Sequence, residues 1–383
     1  MNILFDYQAF DLQTHGGISR SFVQLYKNLH KDVNATIALK ESDNVYANEL
    51  GVKPNGYFMH NFISSYNYPL KSYLFRAYNK LFRLGYGMDY NKKYSVQLLK
   101  KGNFDVFHPT YFDAYFVDYL NGKPFVLTVH DMTPEMNPKY FEPDYYEIVK
   151  KRNLIHKADA IVAVSESTKN DILKIYPEIS PEKIQVIYHG PSFPDGMQPS
   201  LHATINTKYI LFVGHRWRYK NFELFVKHIS PFLNRHKDVN VICTGEKFYP
   251  FELNLFAQYG LSGRFTSTFV KTDQEFIDLY HKALAFVYPS SYEGFGMPIL
   301  EAFQGQTVCM LNCTSCFPEI GGDAPLYFTL TKKESNLSDV AESVYQMSDS
   351  ERKNIINRQL ERLNYFSWEQ SAKKLYEVYK SLI

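Results

Sequence analysis

The sequence predicts a two-domain α/β protein, each half a parallel sheet covered by helices. Three observations lead there. The chain has 383 residues, long for one domain and suited to two. Short apolar runs alternate with helical periodicity along its length, the pattern of βαβ units. That alternation stops once, at the breaker-rich stretch 191–200, and then restarts, so the stretch reads as a linker. The expected division is 1–192, 193–365 and a closing helical segment, 366–383.

Composition narrows the function classes. Hydrophobic residues make up 45% and charged residues 21%, as in ordinary globular proteins. A net charge of +2 argues against a general nucleic-acid binder. No apolar run approaches the roughly 18 residues that would span a bilayer. The start, Met1 to Asp6, runs straight into a strand without the basic segment and apolar core of a signal peptide. A cytoplasmic protein with reduced thiols is therefore expected. Cys313 and Cys316 have C-x-x-C spacing, but no second pair or close histidine pair accompanies them as a zinc site would need. Aromatic content is high, with 31 Tyr and 30 Phe. Rings serve core packing, sugar stacking or a membrane interface, and composition does not choose among these.

Asn2–Phe5 reads as the first strand, and residues after Gly16-Gly17-Ile18-Ser19-Arg20 keep helical spacing through Leu29. This is strand, glycine loop, helix, without the G-x-G-x-x-G dinucleotide fingerprint. Residues 33–60 are weakly patterned. Over 68–101, apolar and aromatic positions recur at helical spacing with Lys71, Arg76, Lys80, Arg83, Lys92, Lys93, Lys100 and Lys101 between them. Such a helix can lie on an anionic membrane surface or be half-buried with a solvated basic face. Phe125–Val129 is a strong strand that runs into His130 and Asp131, at the end where parallel sheets bind ligands. A lone histidine is more often structural. Ala158–Val164 is a buried strand, and Ser165 after it caps a helix or lines a cleft.

In the second half, Tyr209–Val213 is a strand that ends in Gly214-His215-Arg216-Trp217-Arg218-Tyr219-Lys220-Asn221. Cations at the ligand end of such a sheet suit phosphate, Arg as a fork and Lys as a point charge. Asn240–Thr244 is the next strand, with Glu246 beyond it either on a base or solvated. The backbone around Phe269-Val270 is a candidate base-binding segment. Ala283–Val287 is a buried strand, followed by Tyr288 to Ala302. Gly294 and Gly296 let a ligand approach the backbone, and Pro298 suits a helix start. A helix N-terminus there offers free N–H groups and partial positive charge to a phosphate. Glu293 lies in the loop and Glu301 in the expected first helical turn. Each carboxylate also has a plain reading, as a solvated loop residue or a helix-stabilising charge.

The string Glu293-Gly294-Phe295-Gly296-Met297-Pro298-Ile299-Leu300-Glu301-Ala302 closely resembles the signature of the family 4 retaining glycosyltransferases. The Gly16–Arg20 loop, Val129-His130-Asp131, the Gly214–Asn221 segment and the Pro318–Ala324 turn resemble further segments of that family. The resemblance implies the GT-B fold, two Rossmann-like α/β/α domains facing across a cleft. It implies Glu301 on the ribose hydroxyls and Glu293 near the transferred sugar. The Gly294, Phe295, Gly296 and Met297 N–H groups, Gly16, Gly17, Arg216 and Lys220 then surround the diphosphate. His130 contacts the donor sugar near the reacting carbon, with Asp131 orienting it. His215 stands where many members carry the Arg, which leaves Arg216 and Arg218 as alternatives.

The implied substrate is a nucleotide-sugar, with no cofactor and no metal required. The implied reaction is retaining transfer to a hydroxyl of a glycan or lipid-linked acceptor in surface polysaccharide synthesis. GDP-mannose or another GDP- or UDP-sugar fits that class of bacterial enzyme. A peripheral membrane contact through 68–101 belongs to the same picture, and nucleic acid does not. Rival readings are a GT-B-like epimerase or phosphorylase, and a non-catalytic nucleotide-sugar binder.

Overall fold

A computed structural model of the chain describes residues 1–54, 69–82, 90–194, 196–200 and 208–383, with backbone alone for residues 76 and 79–82. Two parallel sheet systems organise it. In the first half, β1 (Asn2–Phe5) lies between β2 (Asn34–Ile37) and β3 (Val106–His108). Next come β4 (Val126–Val129), β5 (Ala160–Ala163) and β6 (Ile184–Val186), ordered β4-β5-β6. A parallel bridge from Phe107 to Phe125 joins the two groups. Strands β4 and β5 are buried at every position, as a sheet covered on both faces requires. Strand β2 was hidden in the weakly patterned stretch because it is a polar edge strand, half-buried at best.

The second half is one six-stranded sheet. Its strands are β7 (Lys208–Phe212), β8 (Val239–Thr244), β9 (Phe265–Thr268), β10 (Ala285–Tyr288), β11 (Cys309–Asn312) and β12 (Leu326–Phe328). The order is β12-β11-β10-β7-β8-β9, all parallel. The order reverses between β7 and β10, where open α/β sheets bind ligands beyond their carboxyl ends. Cores of Ile, Leu, Val and Phe fill both faces of this sheet.

The final helix, Trp368–Lys380, is capped by Ser367, whose hydroxyl accepts from the Gln370 N–H. Its Ala372, Leu375, Val378 and Tyr379 pack into the first sheet's core with Phe5, Phe22 and Val126. Gly190 sits against this helix, where a Cβ would meet the Trp368 backbone and ring at 2.6 Å.

The 68–101 stretch holds helices Lys71–Phe82 and Tyr90–Lys101. Tyr68, Arg83 and Asp89 lie outside the described residues. Lys71 is buried, so it is no part of a solvated basic face, whereas Tyr73 and Leu74 are exposed. Among the described residues, no helix is long and apolar enough to cross a membrane. The four cysteines are free, Cys316 buried and Cys313 exposed.

Candidate active site

A cleft of about 760 Å³ lies between the halves, at the carboxyl ends of both sheets. Two helix starts face each other in it. From the first half comes Gly17–Lys27, preceded by Gly16; from the second comes Met297–Gln304. The first N–H groups of each have no partner inside their own helix. Gly296 caps the second helix with φ +85°, a left-handed conformation that glycine adopts freely. The helix begins at Met297, which places Glu301 in its second turn, a correction to the expected first. The turn that Gly296 makes starts the helix one residue before Pro298.

Gly294 carries a different constraint. A Cβ there would sit 1.9 Å from the His130 carbonyl oxygen and 2.8 Å from the Asp131 Cβ. The loops of the two halves therefore touch backbone to backbone. The contact is held by the Ser165 hydroxyl, which donates to the Gly294 carbonyl at 2.6 Å. Ser165 also caps helix Glu166–Ile175, so it joins the halves rather than lining the cleft. Glu319 adds a second tie, accepting from the N–H groups of Glu166 at 2.6 Å and Ser167 at 2.9 Å. A carboxylate at that helix N-terminus is favoured by the helix dipole as well.

Lys220 reaches the cleft and pairs with Glu293, Nζ to Oε1 2.6 Å, with both side chains largely buried. Glu301 is 8% exposed and accepts from the Tyr280 hydroxyl at 2.9 Å. Burial raises its carboxyl pKa, and the charge of Arg20 pulls the other way. Arg20 lines the cleft, donating to Asp273 at 2.9 Å and to the Ser192 carbonyl. Arg20 ends the Gly16–Arg20 segment, where the sequence alone assigned it no separate role. Its place three residues after Gly17, on the same helix face, was the available signal. Asp273 and Tyr46, also at the cleft, had no sequence signal at all. Thr244, Gly245, Phe269 and Val270 line its far end.

Arg216 is not brought to the cleft. Its guanidinium is buried in a pair with Glu252, Nε to Oε1 2.6 Å, and lies 4.8 Å from the centre of the Phe248 ring. The chain between Arg216 and Lys220 turns at Arg218, with φ +52°, and the two cations take different partners. Arg218 and His215 face a neighbouring cleft. Glu246 is exposed and accepts from the Tyr249 hydroxyl.

His130 lines the cleft at the end of β4, half-buried, and its Nε2 is enclosed without a hydrogen-bond partner. Burial, then the neighbouring His108 and Lys151, pushes its pKa down to about 3. His108 and His189 are likewise held near about 3 by burial. All three are neutral at pH 7. The unfolded chain protonates below about 6.5, whereas the folded chain does not until about 3. Each therefore removes stability as pH falls through that window, about 2 kcal/mol per residue by pH 5. Buried carboxylates such as Asp6, with raised pKa, act in the opposite direction, so the effect is read by difference. Denaturant unfolding of His108→Gln at pH 7 and pH 5 should show about 2 kcal/mol less pH sensitivity than wild type. Equal sensitivity would contradict a neutral buried His108.

The family model described as Glycosyltransferase Family 4 matches residues 15–191, and that described as Glycosyl transferases group 1 matches residues 199–362. The chain belongs to the family 4 glycosyltransferases, of GT-B fold. Among curated relatives, it is 28% identical over 226 residues to the O-antigen chain mannosyltransferase RfbU of Salmonella typhimurium, covering 58% of this chain and 62% of that one. It is 28% identical over 284 residues to O-antigen chain mannosyltransferase B of Escherichia coli, covering 67% of this chain and 70% of the other. The chain thus spans less than two thirds of RfbU's length. Its fold is similar to that of Anabaena Alr3699/HepE, solved in complex with UDP and glucose, with TM-score 0.69, 14% identity and full coverage of both chains.

Proposed function

We propose that this protein transfers a glycosyl unit from a nucleotide-sugar to a hydroxyl of a glycan acceptor, with retention of configuration, in surface polysaccharide synthesis. The observation that carries the reading is the convergence of both helix starts and Lys220 on one cleft that also holds Glu301. A diphosphate fits between the helix starts, where N–H groups and Lys220 meet its charge. Glu301 then accepts from ribose hydroxyls, and the base extends toward Gly245 and Val270. His130 offers a neutral, unpartnered ring nitrogen to the transferred sugar. The relatives named as mannosyltransferases favour mannose as the sugar transferred, and GDP-mannose or another GDP- or UDP-sugar is the proposed donor class.

In the reaction the bond from the anomeric carbon to the diphosphate oxygen breaks. The acceptor oxygen bonds to that carbon on the same face, and its proton passes to the departing diphosphate. Charge builds on the diphosphate, and fixed positive groups there lower the barrier. Lys220 and the helix starts supply that charge, so the reading requires no metal. Arg216 has a structural part, holding Glu252 beneath the neighbouring loop.

The test is thermal stability with GDP, UDP, dTDP, CDP and ADP and their sugar conjugates, with and without EDTA. A ligand at about 100 times its Kd adds about 2.7 kcal/mol of stability. One base should stand out, be insensitive to EDTA, and lose its effect in Glu301→Ala. Indifference to every nucleotide would sink the donor site. Stabilisation that EDTA removes would sink the metal-free account.

A further inference from the structure

A second cleft, of about 630 Å³, opens beside the first. Asp131 lines both, so the two clefts adjoin at that residue. Five rings surround the second cleft. Tyr111, Phe141 and Tyr145 come from the first half, Trp217 and Tyr219 from the second. Its size falls within the usual range for small-ligand sites.

The walls are built, not incidental. Arg218 holds φ +52°, an uncommon conformation for a side chain of its size. Its guanidinium lies 4.9 Å from the centre of the Phe141 ring, bridging the halves over the cleft. The Tyr219 carbonyl accepts from the Ser291 N–H at 2.7 Å, which fixes Tyr219 to the loop before Glu293. Outward from Trp217 the rings continue: Tyr249 is 5.1 Å away and Phe251 5.7 Å. These three are 45%, 37% and 45% exposed. They form an aromatic strip that leads out of the cleft over open surface.

The chemistry selects one class of occupant. A pyranose ring has an apolar C–H face that packs on aromatic rings and a rim of hydroxyls that donate to carboxylates. Asp131 and Glu147 supply those carboxylates here. A lipid tail would take these carboxylates further out of water and meet none of their free lone pairs, at a cost. An anionic group would face two carboxylates against the single fixed charge of Arg218.

We propose that this cleft binds the end of a neutral oligosaccharide acceptor, whose further sugars run over Trp217 toward Tyr249 and Phe251. The proposal rests on reading the first cleft as the nucleotide-sugar site. It places the acceptor's terminal hydroxyls beside Asp131, at the junction with that site.

The chain carries its own reporter. It has two tryptophans, and the other, Trp368, is 9% exposed at the start of the final helix. Tryptophan fluorescence would be titrated with neutral oligosaccharides of one to five sugars built from mannose, glucose, galactose or N-acetylglucosamine. At least one series should change the emission, with affinity rising as the chain lengthens. Calorimetry should find that series about tenfold weaker in Trp217→Ala and in Phe141→Ala. Nucleotide stabilisation should persist in both variants. No response to any series, or unchanged affinity in both variants, overturns the acceptor cleft even if nucleotides bind. Octyl glycosides that bind equally well whatever their sugar overturn it in favour of an apolar occupant. A wild type that no nucleotide stabilises fails the donor reading instead.

Discussion

Gly294→Ala should lower glycosyl transfer by about a hundredfold or more, with both halves still folded. The added Cβ would lie 1.9 Å from the His130 carbonyl oxygen, and that oxygen belongs to backbone at the end of β4. It cannot swing aside as a side chain would. Either the loop shifts or the halves part, and both outcomes move Glu293 and the start of helix Met297–Gln304 away from His130. The hydrogen bond from Ser165 to the Gly294 carbonyl is disturbed as well. Each half keeps its own core, so the Tm should fall little. Steady-state kinetics and small-angle scattering would check this together, with loss of transfer accompanied by a more open particle. Gly17 provides the comparison. A Cβ there meets only the Met297 Cγ at 4.0 Å, so Gly17→Ala leaves the protein's own packing intact. Transfer by Gly294→Ala within threefold of wild type would contradict the backbone contact between the loops.

Lys220→Ala should lower kcat by about 100- to 1,000-fold, the size seen when one fixed group is removed from a developing anion. Lys220 is the cation that the structure places in the cleft beside Glu293, at 2.6 Å. Removing it also leaves Glu293 partly buried without its partner, which costs stability. The two effects separate in a double variant. Lys220→Met with Glu293→Gln removes both charges and should recover stability without recovering turnover. Recovery of turnover in the double variant would mean that the pair is only structural. Arg216 differs in kind. Its partner is Glu252, and both side chains are nearly enclosed, so its removal acts first on folding.

What the sequence determined by itself is local. The apolar runs identified most of the buried central strands in both halves. Breaker chemistry marked 191–200 as the expected linker. The spacing from Glu293 to Glu301 announced a loop and a helix start with carboxylates at both ends. These features depend on neighbours within about one or two helical turns, so backbone preference and periodicity suffice to read them. The tertiary structure decided which side chains face one another. Arg216 and Lys220 lie four residues apart on one loop, yet one pairs with Glu252 and the other with Glu293. Arg20 finds Asp273 across 253 positions. The need for glycine at 294 comes from a carbonyl 164 residues earlier in the chain, at His130. The aromatic cleft joins rings from Tyr111 to Tyr219 that share no periodicity. Such contacts depend on how two separately formed sheets dock, and docking is set by the summed shape of both surfaces rather than by any one segment.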